Sequence, residues 1–246
     1  MSFGIRSAPG LLQLDQRAPL VIEIATNVAE VNILTLAAAA GYRVATQRTG
    51  IIVNVADGVT VSGSSTHAMR TGALGADSDL TININGNGVI SGFTGGTGGS
   101  NSPGGVGGDA LYVETATGGN AEIVLNVAGS ATCGGGKGGG GGGGARGRKR
   151  ESYDDKNSRC EGANVFGSAG NDGAAGANLG LGGSQGNAGN HSNNPASGNN
   201  CGGQGNANDG TAPGAGGAGG AAGFAVRKNS RTVTVNSNGT VAGTAG

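Results

Sequence analysis

Seven consecutive glycines, Gly138–Gly144, lie in the middle of the chain and restrict what it can fold into. Glycine loses more backbone freedom on folding than any other residue, so an ordered run of this length is unfavourable by itself. The run therefore indicates either a disordered segment or an architecture that needs backbones without side chains.

Glycine also recurs at intervals of three, which favours the second alternative. The series occupy positions 92, 95, 98, 104 and 107, then 167, 170, 173 and 176, then 180, 183, 186 and 189, and finally 214, 217, 220 and 223. Three residues complete one turn of a polyproline-II helix, which has no internal hydrogen bonds. A bare glycine face lets neighbouring helices approach and bond through their backbones. We predict a bundle of packed polyglycine-II helices over 92–226, with turns where the phase breaks; with only 5 prolines, collagen is excluded.

Composition and charge exclude several classes of protein. Of the 246 residues 57 are glycine, and there are no tryptophans, 4 phenylalanines and 3 tyrosines, so a conventional core is small. The 15 basic residues balance 15 acidic ones, which leaves no net field to attract nucleic acid or a membrane surface. The N-terminus has no secretory pattern and no apolar run reaches about 20 residues, so we expect no membrane insertion.

A second repeat frames the glycine-rich region. The segment TININGNGVISG (81–92) aligns without gaps with TVTVNSNGTVAG (232–243), and 52–63 and 123–134 share the pattern. Each unit alternates apolar and polar residues, turns at Asn or Asp plus Gly, and alternates again. Units of this kind predict stacked coils or a small sheet. Upstream, VNILTLAAAAGY (31–42) predicts a short helix closed by Gly41.

The expected fold class is therefore mostly irregular and β: a small N-terminal β-rich framework with one short helix, followed by the polyglycine-II bundle. Three regions follow from these patterns. They are an N-terminal region of ordinary composition (1–50), a β-repeat framework (51–91 and 227–246, with 110–132), and the glycine-rich bundle with its loops (92–226).

The longest non-glycine excursion is ARGRKRESYDDKNSRC (145–160), which holds six of the 15 basic residues. Polar loops on a rigid scaffold commonly form binding surfaces, although any single mixed-charge loop is equally well explained as a solvated turn. We predict contact with a partner through this excursion and the Asn-rich loop after position 189. The candidate residues are Arg146, Arg148, Lys149, Arg150, Tyr153, Asp154, Asp155, Lys156, Arg159, Phe166, His191, Asn193, Asn194, Asn199 and Asn200.

Signals for other chemistry are weak. Lys137 lies in GGGKGG, but a phosphate loop needs Gly-Lys-Ser/Thr at the start of a helix. The GARGRKR segment occurs once, with one nearby aromatic residue, so we expect no nucleic-acid binding. The two histidines, His67 and His191, are far in sequence from the cysteines, and polar surface roles explain them better than metal ligation. No catalytic arrangement stands out; we expect no enzyme activity, no metal and no cofactor.

The three cysteines are an odd number, so they cannot all pair within one chain. Cys133 and Cys160 bracket the glycine run and the basic excursion, and a disulfide between them would close that loop. A Cys160–Cys201 bridge is equally allowed by the sequence. Reduced thiols are the alternative for a protein assembled in the cytosol.

Several stretches resemble bacteriophage tail-tip and tail-fibre adhesins. The opening MSFGIRSAPGLLQLDQ resembles the MSFG…LQLD start of phage tail proteins, and 51–98 is similar to a phage segment with a strand, an MRTG stretch and glycine triplets. The glycine-rich half is similar in kind to the tip adhesins of T-even-like phages. In those proteins polyglycine-II helices pack in a sandwich whose end loops touch the host receptor.

The resemblance implies a virion protein at the tail tip that adsorbs to a host-cell receptor. It also implies that residues 1–50 are a virion-attachment region, which would bind other phage tail proteins, and that the second partner is a bacterial surface protein or glycan. Two alternatives are a purely structural tail or decoration protein without receptor contact, and a glycine-triplet antifreeze protein. A thermal-hysteresis assay and an adsorption-inhibition assay separate them.

Overall fold

The computed structural model describes residues 18–43, 50–75, 78–114, 122–145, 168–189 and 214–246. It also describes the backbone of the strand residues 148–149, 152–155, 158–161 and 165–166.

Five turns of chain, here called rungs, stack into a parallel β-solenoid. Rung 1 contains β1 (Leu20–Ile24), β2 (Val28–Ala29) and β3 (Val31–Asn32). Rung 2 contains β4 (Ile51–Val55), β5 (Thr60–Ser62) and β6 (Met69–Arg70). Rung 3 contains β7 (Leu80–Ile84), β8 (Val89–Ser91) and β9 (Leu111–Tyr112). Rung 4 contains β10 (Ile123–Val127) and β11 (Thr132–Gly134) and is completed by β16 (Val226–Arg227). Rung 5 contains β17 (Val233–Ser237) and β18 (Thr240–Ala242).

Three sheets run along the solenoid, and each takes one strand from successive rungs. The first has the order β1-β4-β7-β10-β17, the second β18-β11-β8-β5-β2 and the third β16-β9-β6-β3. All pairings are parallel and in register, so that Val53 lies beside Ile82 and Ile82 beside Leu125. These three residues are fully buried, because every second side chain of each strand points into the solenoid. The predicted stacked coils are confirmed.

Asparagines form a ladder on the outer face of the first sheet. Each side-chain Nδ2 donates to the Oδ1 one rung earlier: Asn236 to Asn126 (2.9 Å), Asn126 to Asn83 (2.8 Å) and Asn83 to Asn54 (2.8 Å). The ladder ends at rung 1, where Asn54 donates to Glu23 Oε1 at 2.5 Å. In-register stacking explains why the repeat keeps Asn at this position.

The predicted short helix is present as α1 (Ile33–Ala39), which follows β3. The Asn32 side chain accepts from Thr35 N at its N-terminus, and Gly41 has a φ of 97° just beyond its end. Ile33 and Ala37 are fully buried. The helix thus belongs to rung 1. The predicted boundary near residue 50 does not match the structure, because β1 pairs in register with β4.

Six extended glycine-rich segments, here called rods 1 to 6, leave rungs 3 and 4 in place of short turns. Rods 1 and 2 (92–99 and 102–110) connect β8 to β9, and rods 3 to 6 (135–145, 168–177, 180–189 and 214–225) connect β11 to β16. Their lateral hydrogen bonds recur every third residue: Gly92, Gly95 and Gly98 donate to the carbonyls of Gly134, Lys137 and Gly140. This is the period of a polyproline-II-type helix, from which we infer the polyglycine-II conformation.

Rod 3, which contains the seven glycines, lies at the centre of the bundle. Its N–H groups donate to rod 2 (Gly139 to Gly105) and rod 5 (Gly141 to Ser184). Its carbonyls accept from rods 1, 4 and 6, with Gly98, Gly173 and Gly220 as the donors of one level. Five neighbours surround it, and no described rod occupies the sixth side. There the Asp172 carboxylate accepts the N–H of Gly143 at 2.7 Å.

The central position explains the uninterrupted glycine run. A Cβ on Gly139 would collide with the carbonyl of Gly96, one on Gly140 with that of Gly173, and one on Gly141 with that of Gly217. Three successive residues therefore face three different rods. Lys137 is the exception: it lies where rod 4 turns into rod 5, and its Nζ donates to the carbonyl of Ala177 at 2.9 Å.

Candidate functional site

The rods have a near end at the solenoid and a far end away from it. Near the solenoid Gly92 donates to Gly134, Gly180 to Gly135 and Gly223 to Gly136. At the far end rods 3 to 6 and the turn between rods 1 and 2 meet at one level, where the bonded residues are Asn101, Gly143–Ala145, Gly170, Gly189 and Gly214. Rods 4 and 5 are joined at the near end through 177–180, where Gly180 has a φ of 71°. The other three connections therefore leave from the far end.

The first of these connections is the tight turn between rods 1 and 2. Ser102 N donates to the carbonyl of Gly99 at 2.8 Å, and Asn101 has a φ of 59°. Asn101 also joins the turn to rod 3, since its N–H donates to Gly143 and its Oδ1 accepts from Ala145 N at 2.8 Å. Asn101 was not among the predicted site residues; its only sequence signal is that it fills the gap in the first glycine series.

The second connection, 146–167, follows Ala145 and contains the predicted basic excursion. Within it β12 (Arg148–Lys149) pairs antiparallel with β15 (Val165–Phe166), and β13 (Ser152–Asp155) pairs antiparallel with β14 (Ser158–Glu161). The register sets Arg148 beside Phe166 and Asp154 beside Arg159 along the backbone. Seven predicted site residues thus share two nested strand pairs beyond rod 3: Arg148, Lys149, Tyr153, Asp154, Asp155, Arg159 and Phe166.

The third connection, 190–213, joins rods 5 and 6 at the same end. The other predicted site residues lie outside the described residues, and their candidacy rests on the sequence alone. They are Arg146, Arg150, Lys156, His191, Asn193, Asn194, Asn199 and Asn200.

Cys133 corrects the candidate disulfide. Its thiol is free and fully buried in β11, where Sγ contacts the carbonyl oxygen of Ala225 at 3.6 Å. Burial raises the pKa of the Cys133 thiol to about 12. Cys133 precedes the near end of rod 3, whereas Cys160 follows its far end. At a rise of about 3.1 Å per residue, rod 3 is about 34 Å long. A disulfide needs Cα atoms within about 7 Å, so the solenoid position of Cys133 does not suit the pairing.

Two chemical features can be stated for the part of the chain that the structure describes. No group of His, Cys, Asp and Glu side chains in it is arranged to hold a metal ion. None of its helices has the length and apolar character needed to cross a bilayer.

Comparisons with known proteins identify the family of the chain. The family model described as phage tail fibre adhesin Gp38 matches residues 19–246. Among solved structures, the chain is similar to the gp37–gp38 adhesin tip complex of the bacteriophage S16 long tail fibre, with 21% identity and a TM-score of 0.44 over 92% of this chain and 82% of that one. No curated protein matches it. Because the family match spans almost the whole length, the chain belongs to the Gp38 family of phage tail fibre adhesins.

Proposed function

We propose that this adhesin binds a host-cell surface receptor through the three connections at the far end of its rods. The observation that carries the proposal is that these connections converge. Direct hydrogen bonds join the turn at Asn101, Ala145 before 146–167, and Gly214 after 190–213. Gly214 N donates to the carbonyl of Ala145, whose own N–H is held by Asn101. Three segments of unrelated sequence thus begin or end side by side on a backbone-bonded support.

The composition of the far-end connections favours non-covalent recognition of a polar surface. Segment 146–167 combines six basic residues with Asp154, Asp155 and one tyrosine, and 190–213 is rich in Asn. Guanidinium and amide groups form directional hydrogen bonds with carboxylates, phosphates and hydroxyls. A bacterial surface protein or glycan offers these groups, and no reaction step is required.

The opposite role, attachment to the rest of the tail fibre, is assigned to the N-terminal region. Rung 1 lies at one end of the stack that the structure describes, and among the described residues the outer edges of β1 and β2 have no partner strand. Val21, Val28 and Leu36 are exposed there, and a groove of about 390 Å³ runs between β1 and α1. Unpaired strand edges with apolar side chains are common sites of protein association. We propose that another tail protein covers this end.

Adsorption inhibition by the purified full-length protein tests the receptor role. We expect wild-type protein to compete with phage for host cells. A chain whose residues 148–166 are replaced by a Gly-Ser linker should lose that competition while keeping its thermal unfolding midpoint, since rods 3 and 4 bond to each other directly. A Lys228→Ser variant, which removes a cation at the solenoid, is the matched control and should compete normally.

The outcomes separate the candidate functions. If folded wild-type protein does not reduce adsorption, the receptor proposal is wrong and a purely structural fibre role replaces it. If the linker variant competes as well as the wild type, recognition does not use 146–167.

A further inference from the structure

A carboxylate lies buried where rods 2 and 6 rejoin the solenoid. Asp109 is 1% exposed and accepts from Arg227 Nε at 2.6 Å, Arg227 Nη2 at 2.9 Å and Phe224 N at 2.9 Å. The Arg227 guanidinium also lies 4.2 Å from the centre of the Phe224 ring. A buried carboxylate held by a two-point guanidinium contact is a rigid element. It forms the floor of the neighbouring surface.

Two aromatic rings are fixed above this floor. His67 Nδ1 lies 3.1 Å from Asp109 Oδ2, although the hydrogen-bond geometry is not well aligned. The imidazole stacks on Tyr112 with 4.2 Å between ring centroids and 20° between planes. Desolvation by burial lowers the pKa of His67, so the ring is neutral at pH 7. The adjacent carboxylate favours a proton on Nδ1, which leaves Nε2 as a hydrogen-bond acceptor.

A pair of opposite charges completes the wall. Arg70 in β6 and Glu114 after β9 approach to 3.8 Å, beyond hydrogen-bonding distance, and their side chains are 54% and 29% exposed. The Glu114 backbone is positioned by its own N–H, which donates to Thr71 Oγ1 at 3.0 Å. A partly exposed pair at this distance is weak, so both groups keep capacity for a ligand.

We propose that the depression lined by His67, Arg70, Tyr112 and Glu114 is a saccharide-binding site, separate from the far-end connections. Its volume of about 390 Å³ falls within the range of roughly 300–1,000 Å³ found for small-molecule sites. It lies on the outer face of the third sheet, near the solenoid end of the rods. The proposal is independent of the receptor role proposed above.

The hydrogen-bond donors and acceptors of the lining favour a ligand with several hydroxyl groups. A guanidinium only donates hydrogen bonds and a carboxylate only accepts them, whereas each sugar hydroxyl does both. Arg70 beside Glu114 therefore complements neighbouring hydroxyls, and His67 Nε2 can accept from a third. The two formal charges cancel, so the site offers no net attraction to a simple anion or cation. The lining is mostly polar, and the stacked rings supply its smaller apolar part, which sugar C–H groups can contact.

Ligand-observed saturation-transfer NMR on the full chain tests this assignment. The probes are the methyl glycosides of glucose, galactose and mannose at millimolar concentration, with acetate and methylammonium as charge controls. We expect transfer to at least one glycoside and to neither ion. Glu114→Gln and Arg70→Gln should each reduce that transfer at least fivefold. Glu122→Gln, an exposed carboxylate outside the site, should leave it unchanged.

Three results would overturn the proposal. They are no transfer to any glycoside, unchanged transfer in both site variants, and stronger transfer to acetate or methylammonium than to the glycosides. Both side chains are partly exposed, so the variants should keep the wild-type unfolding midpoint. Replacing 148–166 with a linker should preserve glycoside transfer, which distinguishes this site from the far-end surface whatever happens to adsorption.

Discussion

At the residue scale, the seven glycines are needed because they lie in the central rod of the bundle. Glycine at every third position suffices for a rod with one packed face, but rod 3 has neighbours on five sides and needs glycine at almost every position. The triplet series predicted the outer rods. The sequence alone could not place the unbroken run at the centre of the bundle, because that place depends on how many rods pack around rod 3.

A single methyl group tests this difference. Gly141→Ala would drive a Cβ into the carbonyl of Gly217, and overpacking of this kind costs about 1–3 kcal/mol. Gly96→Ala in rod 1 is the matched control, because a Cβ there meets nothing within 4 Å; we expect a change within about 0.5 kcal/mol. Urea unfolding followed by circular dichroism measures both. Equal losses would contradict a central rod 3.

Glu30 connects rung 1 to rung 2 and makes stability depend on acid pH. Ser65 donates to its Oε1 through both N (2.8 Å) and Oγ (2.7 Å). Hydrogen bonds from Ser64 and Ser65 lower the pKa of Glu30 from 4.5 to about 2. The native state thus binds fewer protons than the unfolded chain between these values, so the contribution is complete above pH 4.5 and disappears as pH falls through about 2.

We therefore expect Glu30→Gln to flatten the loss of stability between pH 4.5 and pH 2. The measurement is the urea midpoint of the wild type and the variant at intervals across that range. Glu122→Gln controls for the removal of any one carboxylate and should keep the wild-type slope. A Glu30→Gln slope equal to that of the wild type would show that Glu30 does not carry the effect.

At the element scale, the Asn ladder converts the sequence repeat into contacts between rungs. Asn83 donates to Asn54 and accepts from Asn126, whereas Asn236 at the end of the ladder only donates. Each hydrogen bond contributes about 0.5–1.5 kcal/mol net. Asn83→Ala should thus lower the free energy of unfolding by about 1–3 kcal/mol, and Asn236→Ala by about half as much. Chemical denaturation of both variants checks the ratio; equal effects would contradict a continuous ladder.

The sequence predicted the strands that recur in similar sequence units and missed the strands that do not. The units at 52–63, 81–92, 123–134 and 232–243 were found because alternation and Asn/Asp-Gly turns repeat. Rung 1 was missed as a member of the stack, since LVIEI has no such turn after it. The third sheet was missed too, because its strands are two residues long and β9 and β16 follow long rod insertions.

The candidate site was predictable in the same uneven way. Charge and composition identified the segment 145–160, and its strands extend from the far end of rod 3. The common end of the connections could not be predicted, since it depends on rods 4 and 5 being joined at the near end through 177–180. The cluster around Asp109 had no signal, because His67 and Arg227 are distant from it in sequence.

At the scale of the whole molecule, the backbone hydrogen bonds between rods predict a compact particle despite the glycine content. A folded chain of 246 residues has a radius of gyration of about 18 Å, against about 54 Å when unfolded. Small-angle X-ray scattering should give a value near the lower figure, with some increase for the projecting rods. A value near the upper figure would contradict both the bundle and the adhesin surface it supports.

The three-residue period limits how this adhesin can lengthen during evolution. One residue inserted into rod 3 would rotate its donors and acceptors away from all five neighbours at once. A gain or loss of three residues in every rod keeps each pairing and moves the tip by about 9 Å. The length of the rods can therefore change only by whole helical turns, whereas the connections at their far end can gain or lose any number of residues.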